Sequence, residues 1–146
     1  MKIAIGCDHG GFVLKQHIIE YLTDKGYQAV DYGSDGADAS DYPIFAKKVT
    51  SAILSGECEL GILICGTGIG MSIAANKVDG IRAAVCGETF SARMARAHNN
   101  ANILTIGARV IGPSLAEVIV GEFVSTTFEG GRHARRVALY DNMNKI

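Results

Sequence analysis

The sequence predicts an α/β fold, a three-layer α/β/α sandwich of Rossmann-like type around a mainly parallel five-stranded sheet. Three observations predict it. Five short apolar runs alternate with segments of helical periodicity along the chain. One run, Leu60 to Cys65 (Leu-Gly-Ile-Leu-Ile-Cys), is nearly continuous apolar sequence, as expected of a strand covered on both faces. The segments between runs hold helices, which supply the right-handed crossovers that parallel neighbours need. The 146 residues suit one domain spanning the chain. There is no internal repeat, low-complexity tract or linker-like stretch.

The elements follow in order. Lys2 to Gly6 is a short apolar strand. Phe12 to Lys25 places Leu14, Ile18, Tyr21 and Leu22 at helical spacing, and Gly26 stands where a C-terminal cap belongs. Gln28 to Tyr32 reads as the second strand. Asp41-Tyr42-Pro43 opens the second helix, with Asp41 as cap and Pro43 in the first turn. Phe45, Val49, Ala52 and Ile53 form its buried stripe, and Gly56 ends it. Leu60 to Cys65 is the third strand, followed by a small-residue helix from about Met71 to Asn76. Ile81 to Cys86 is the fourth strand, Thr89 to Ala97 a helix and Ile103 to Ile106 the fifth strand. Ser114 to Val124 and about Arg132 to Met143 complete the helices.

Composition narrows the function. Hydrophobic residues make up 48% and charged residues 20%, a globular balance that excludes a disordered chain. A net charge of −1 excludes a globally basic nucleic-acid binder. No apolar run approaches the roughly 18 residues of a membrane span. The apolar run at the N-terminus is too short for a signal peptide. The four cysteines, Cys7, Cys58, Cys65 and Cys86, include no C-x-x-C pair, hence neither a zinc knuckle nor a thioredoxin motif. They read as small buried hydrophobes in a reducing compartment, and the expected location is the cytoplasm.

In parallel sheets ligands bind outside the carboxyl ends of the strands. Those ends carry Cys7-Asp8-His9, then Cys65 with Gly66-Thr67-Gly68-Ile69-Gly70, then Gly87-Glu88, then Gly107-Ala108-Arg109. The three glycines after Cys65 let backbone N–H groups converge at a helix start. Such a nest holds a phosphate or an enolate oxyanion, or is simply a tight turn. It is not a Walker A loop, since no Gly-Lys-Ser/Thr follows, and its third glycine comes too early for G-x-G-x-x-G. Cys65 adjoins it, either as a proton-abstracting or nucleophilic thiolate or as a buried strand-end cysteine. Asp8 and His9 offer an acid/base pair in the first loop. His98-Asn99-Asn100 ends a helix, so His98 is either a dipole partner with an Asn cap behind it or a general acid/base. Arg132 and Arg136 are four apart on the last helix and share a face, which suits a phosphate dianion or is a solvated face. A rival dinucleotide site would use Gly6, Gly10, Gly11 and Asp31, but Asp8 would then face the pyrophosphate.

These elements together resemble the type B ribose-5-phosphate isomerases. The resemblance is carried by Gly6-Cys7-Asp8-His9, Asp41-Tyr42-Pro43, Cys65-Gly66-Thr67-Gly68-Ile69-Gly70, Ala75-Asn76-Lys77, His98-Asn99, Gly107-Ala108-Arg109 and Gly130-Gly131-Arg132-His133 with Arg136. It implies interconversion of D-ribose 5-phosphate and D-ribulose 5-phosphate through a cis-enediolate, in the non-oxidative branch of the pentose phosphate pathway. Carried over, Cys65 moves the proton between C2 and C1, and Thr67 assists transfer between the two oxygens. Gly66, Gly68, Ile69 and Gly70 hold the oxyanion. Asp8 and His98 open the furanose ring. His9, Arg109, Arg132 and Arg136 bind the phosphate, and Tyr42 and Asn99 contact the sugar. The resemblance implies no cofactor and no metal. It implies two partners, a phosphorylated sugar and a second copy of the chain. The helix at about 132–143 would dock on that copy, and the sites would be shared. Nucleic acid and membrane are not among the partners. The alternatives are an isomerase of another phosphosugar, such as allose 6-phosphate or galactose 6-phosphate, and a non-catalytic phosphosugar-binding protein. The latter would keep the arginines without needing Cys65. Cys7, Cys58 and Cys86 receive no role.

Overall fold

In the computed structural model, which describes residues 1–36 and 38–143, strands and helices alternate as the sequence predicts. The order is β1 (Lys2–Cys7), α1 (Phe12–Asp24), β2 (Gln28–Asp31), α2 (Tyr42–Leu54), β3 (Leu60–Cys65), α3 (Ile69–Ala75), β4 (Ala83–Val85), α4 (Thr89–Ala97), β5 (Ile103–Gly107), α5 (Pro113–Ser125) and α6 (Arg132–Asp141). A 3-10 turn, His9–Gly11, joins β1 to α1. The sheet order is β2-β1-β3-β5-β4, and all four pairings are parallel. All five carboxyl ends therefore share one rim of the sheet. The winding direction reverses between β1 and β3, which puts the ligand crevice of such a sheet beside their carboxyl ends.

Strand alternation divides the core into two layers. Leu60, Ile62 and Ile64 of β3 face α1, α4 and α5, through Leu14, Ile18, Ala92 and Phe123. Leu63 and Cys65 face the other way, against Ala46, Val49 and Ala52 of α2 and Met71 and Ala75 of α3. Cys65 is thus directed toward α3 by its parity in the strand.

Several boundaries moved for identifiable reasons. The third helix starts at Ile69, because Gly68 takes the left-handed conformation (φ 78°) as its N-cap and the helix begins immediately after it. The fourth strand begins only at Ala83, because the Arg82 N–H donates to the side chain of Asn102 (2.8 Å). Asp41 is the N-cap of α2 but makes no side-chain capping bond. In α2, Val49 and Ala52 are buried as expected, joined by Ala46 and Thr50, while Phe45 and Ile53 are only partly buried. Gly26 and Gly56 both have positive φ just beyond helix ends, as their placement predicts.

Candidate active site

Two loops meet at the crevice between β1 and β3. The first is held by Asp8, whose Oδ1 accepts from the N–H groups of Gly10 (2.9 Å) and Gly11 (3.1 Å). Gly11 is tightly placed: a methyl group there would stand 2.6 Å from the Ile64 carbonyl oxygen. The second loop, Gly66 to Gly68, lies directly on the end of β5. A methyl group on Gly107 would stand 2.7 Å from Thr67 backbone atoms, and one on Gly68 2.9 Å from Ile106 carbon. Only glycine permits this approach.

Side chains converge on these loops. The Gly68 N–H donates to Cys65 Sγ at 3.1 Å, so the thiol is bonded to the loop it precedes. Arg109 follows β5 and is anchored by its N–H donating to the Gly66 carbonyl (3.0 Å). Its guanidinium lies over both loops: methyl groups on Gly10 and Gly66 would fall 3.8 Å and 3.6 Å from its terminal nitrogens. Tyr42, from the start of α2, rests its phenol on Gly70 at the start of α3, where an added methyl would lie 3.2 Å from the hydroxyl oxygen. His9 and Thr67 are exposed beside them, and Thr67 Oγ1 accepts from the Ile69 N–H at 3.3 Å. One rim thus carries a thiol, a cradle of amides, a carboxylate and a guanidinium. That set can hold a phosphate, move a proton at carbon and stabilise the resulting oxyanion.

The remaining expected residues lie elsewhere in the chain. The helix α4 starts at the carboxyl rim and runs back, roughly 13 Å over nine residues. Its C-cap is His98, so His98 and Asn99 lie at the opposite rim, near the start of β5. There α6 joins them: the His98 and His133 rings stack, with centroids 4.1 Å apart. Arg132 and Arg136 belong to the same helix and are exposed. Asn100 has φ 46°, the left-handed Asn expected at this helix end. Within one chain, Asp8 and His98 are therefore not brought together, nor is Arg109 with Arg132 and Arg136.

A family model described as Ribose/Galactose Isomerase matches residues 3–139. The chain belongs to the ribose/galactose isomerase family. Among relatives, it is 50% identical over 136 residues to ribose-5-phosphate isomerase B of Escherichia coli, covering 93% of this chain and 91% of that one. It is 46% identical over 149 residues to D-erythrulose-4-phosphate isomerase of Pectobacterium atrosepticum, covering 99% and 98%. Among solved structures, Clostridium thermocellum ribose-5-phosphate isomerase B superposes with a TM-score of 0.97 at 54% identity, covering 99% and 98%.

Against this family background the dinucleotide alternative fails on local geometry. Asp31 is committed to Lys15, whose Nζ donates to both carboxylate oxygens at 2.7 Å. Asp8 occupies the first-loop amides that a pyrophosphate would need. Sequence reasoning missed Lys15 altogether. It is fully buried on α1 and also donates to the Ser34 carbonyl at 2.7 Å, fastening the segment after β2. Its only sequence signal is a lysine beside the apolar stripe of Leu14 and Ile18. Burial pushes the thiols of Cys7 and Cys58 up and that of Cys86 to about 11, which fits their reading as core residues. Burial, with His98 and Arg132 alongside, pushes His133 down, Glu129 opposing.

Proposed function

We propose that the protein is an aldose–ketose isomerase interconverting D-ribose 5-phosphate and D-ribulose 5-phosphate. The observation that carries this is Cys65 Sγ bonded to the glycine loop it precedes, with Arg109 over the same loop. A base adjoins an anion cradle, and a cation stands ready for the phosphate. The E. coli and C. thermocellum relatives carry the name of this reaction.

The chemistry follows from the placement. In the open-chain aldose, Cys65 as thiolate takes the C2 proton. The electron pair forms the C1–C2 double bond, and the carbonyl oxygen becomes an oxyanion held by amides of the Gly66–Gly70 loop, Ile69 among them. Thr67 moves a hydroxyl proton from O2 to O1. Cys65 returns its proton to C1, which completes the ketose without any net redox change. His9 and Arg109 hold the phosphate from this chain, and Tyr42 contacts the sugar.

Ring opening and the rest of the phosphate site require a second copy. His98, Asn99, Arg132 and Arg136 sit at the rim opposite Cys65, so we assign them to the partner's site in a two-fold dimer, where His98 faces Asp8 and Asn99 contacts the sugar. Ile69 and Ile73, 54% and 59% exposed on α3, supply an apolar surface beside the site for that contact. Four unpaired cysteines fit a reducing compartment such as the cytoplasm.

The test is proton NMR of D-ribose 5-phosphate with the purified protein in deuterated water containing a chelator. Ketose formation with deuterium entering the exchanging C–H position is expected. No turnover of ribose 5-phosphate, with turnover of allose 6-phosphate or galactose 6-phosphate, would reassign the substrate. Binding of all three sugars without turnover would make the protein a phosphosugar receptor.

A further inference from the structure

The sequence contains no metal motif, yet the fold builds a ligand cluster. His98, Glu129 and His133 each present one donor atom, and the three atoms lie within 4.8 Å of one another. His98 Nε2 and His133 Nε2 both stand 3.6 Å from the same oxygen, Glu129 Oε2. A tetrahedral ion with N and O ligands at about 2.0–2.2 Å has ligand–ligand edges of roughly 3.3 Å. Two of the three edges are thus within a few tenths of an ångström of metal-bound spacing.

The donor chemistry and the scaffold agree. The Arg132 guanidinium donates to His133 Nε2 at 3.4 Å, and a guanidinium cannot accept, so that nitrogen carries a lone pair. The two rings are nearly parallel, at 4° between planes. Joint coordination would turn the His98 ring, whose side chain is 36% exposed, out of the stack toward Glu129 Oε2. The backbone is clamped on both sides of His98. The Glu129 N–H donates to the Ala97 carbonyl at 3.0 Å, and the Tyr140 hydroxyl donates to the Asn99 carbonyl at 2.7 Å. Glu129 and His133 are four residues apart across the start of α6.

We propose that His98, Glu129 and His133 form a reversible, inhibitory site for one divalent transition-metal ion. Two imidazoles and one carboxylate select an ion of the zinc class, whereas Mg²⁺ and Ca²⁺ want oxygen ligands throughout. Arg132 and Arg136 oppose a dication nearby, which keeps binding reversible and sets the site apart from a structural zinc. Occupation removes His98 from service. That inhibitory consequence rests on the ring-opening role assigned to His98 above, whereas the binding site does not.

The experiment titrates Zn²⁺ into the metal-stripped full-length protein by calorimetry, with Co²⁺ as an optical probe. One ion per chain is expected, without a thiolate-to-cobalt charge-transfer band, and Cys65→Ala keeps the site. Glu129→Gln and His133→Ala each weaken binding at least about tenfold, since loss of even an outer-shell partner of a metal ligand costs that much. Zn²⁺ inhibits turnover, a chelator restores it, and Glu129→Gln needs about tenfold more Zn²⁺ for the same inhibition. Unchanged Zn²⁺ affinity in both Glu129→Gln and His133→Ala, or a thiolate band lost in Cys65→Ala, overturns the site. Binding that both variants weaken, but that leaves wild-type turnover intact, overturns the inhibitory role and the ring-opening assignment of His98 with it.

Discussion

Three thiols stand at or just beyond the carboxyl ends of strands, and their surroundings separate them. Cys7 and Cys86 are enclosed and pushed up by burial, Cys86 to about 11. Cys65 alone among them receives a loop N–H, from Gly68. The strand pattern identified all three as strand-end residues. The glycine loop directly after Cys65 singled it out, because that signal is local. Cys65→Ala is expected to abolish turnover and deuterium exchange while leaving phosphosugar affinity within a few-fold. Rates by NMR and affinity by calorimetry measure the two effects separately, and normal turnover by the variant would dismiss Cys65 as the base.

At the scale of elements, two contacts set how firmly the site is framed. The first is the ion pair from the buried Lys15 of α1 to the exposed Asp31 at the end of β2. Lys15 is fully buried, and its ammonium holds both Asp31 oxygens and the Ser34 carbonyl. Asp31 keeps water and the Gly33 N–H when the lysine is removed, whereas the Ser34 carbonyl loses a buried donor. Lys15→Met is expected to destabilise the protein by about 1–3 kcal/mol in chemical denaturation. The second contact is the cap of α4. The Glu88 carboxylate accepts from the N–H groups of Phe90 and Ser91, both at 2.7 Å, and these bonds hold its carboxyl below the usual carboxylate range. A carboxylate lowered on folding stabilises above its unfolded pKa, near 4.5, and loses that contribution as pH falls through the folded value. Glu88→Ala should therefore lower the melting temperature at pH 7, and the gap to wild type should shrink as pH falls below 4.5 and through the folded value. A pH-independent gap would mean the cap acts through packing alone. Sequence placed Glu88 at a strand end but said nothing of Lys15, since a lysine in an amphipathic stripe ordinarily points to water.

At the scale of the molecule, an all-parallel sheet sends every helix away from the carboxyl rim. His98, at the far end of α4, cannot return to Cys65 of its own chain. The proposed two-fold dimer would resolve this, and it has an arithmetic signature. Cys65→Ala and Arg132→Ala are each expected to be inactive alone. Unfolded together and refolded, they should regain about a quarter of wild-type activity, because half the dimers are mixed and each mixed dimer holds one intact site. Recovery near zero would show that both groups serve a site within one chain.

Periodicity, turn glycines and capping positions act over a few residues, so the order of strands and helices, the Cys65–Gly70 loop and the left-handed Asn100 were readable from the sequence alone. The family membership was equally legible, through short motifs in a fixed order. Tertiary structure alone decided the sheet order, the separation of Asp8 from His98, the burial of Lys15 against Asp31, and the meeting of His98, Glu129 and His133. Each of these depends on contacts between residues far apart in the chain. Such contacts are chosen by packing the whole sheet and its helices at once, and no local window of sequence carries that choice.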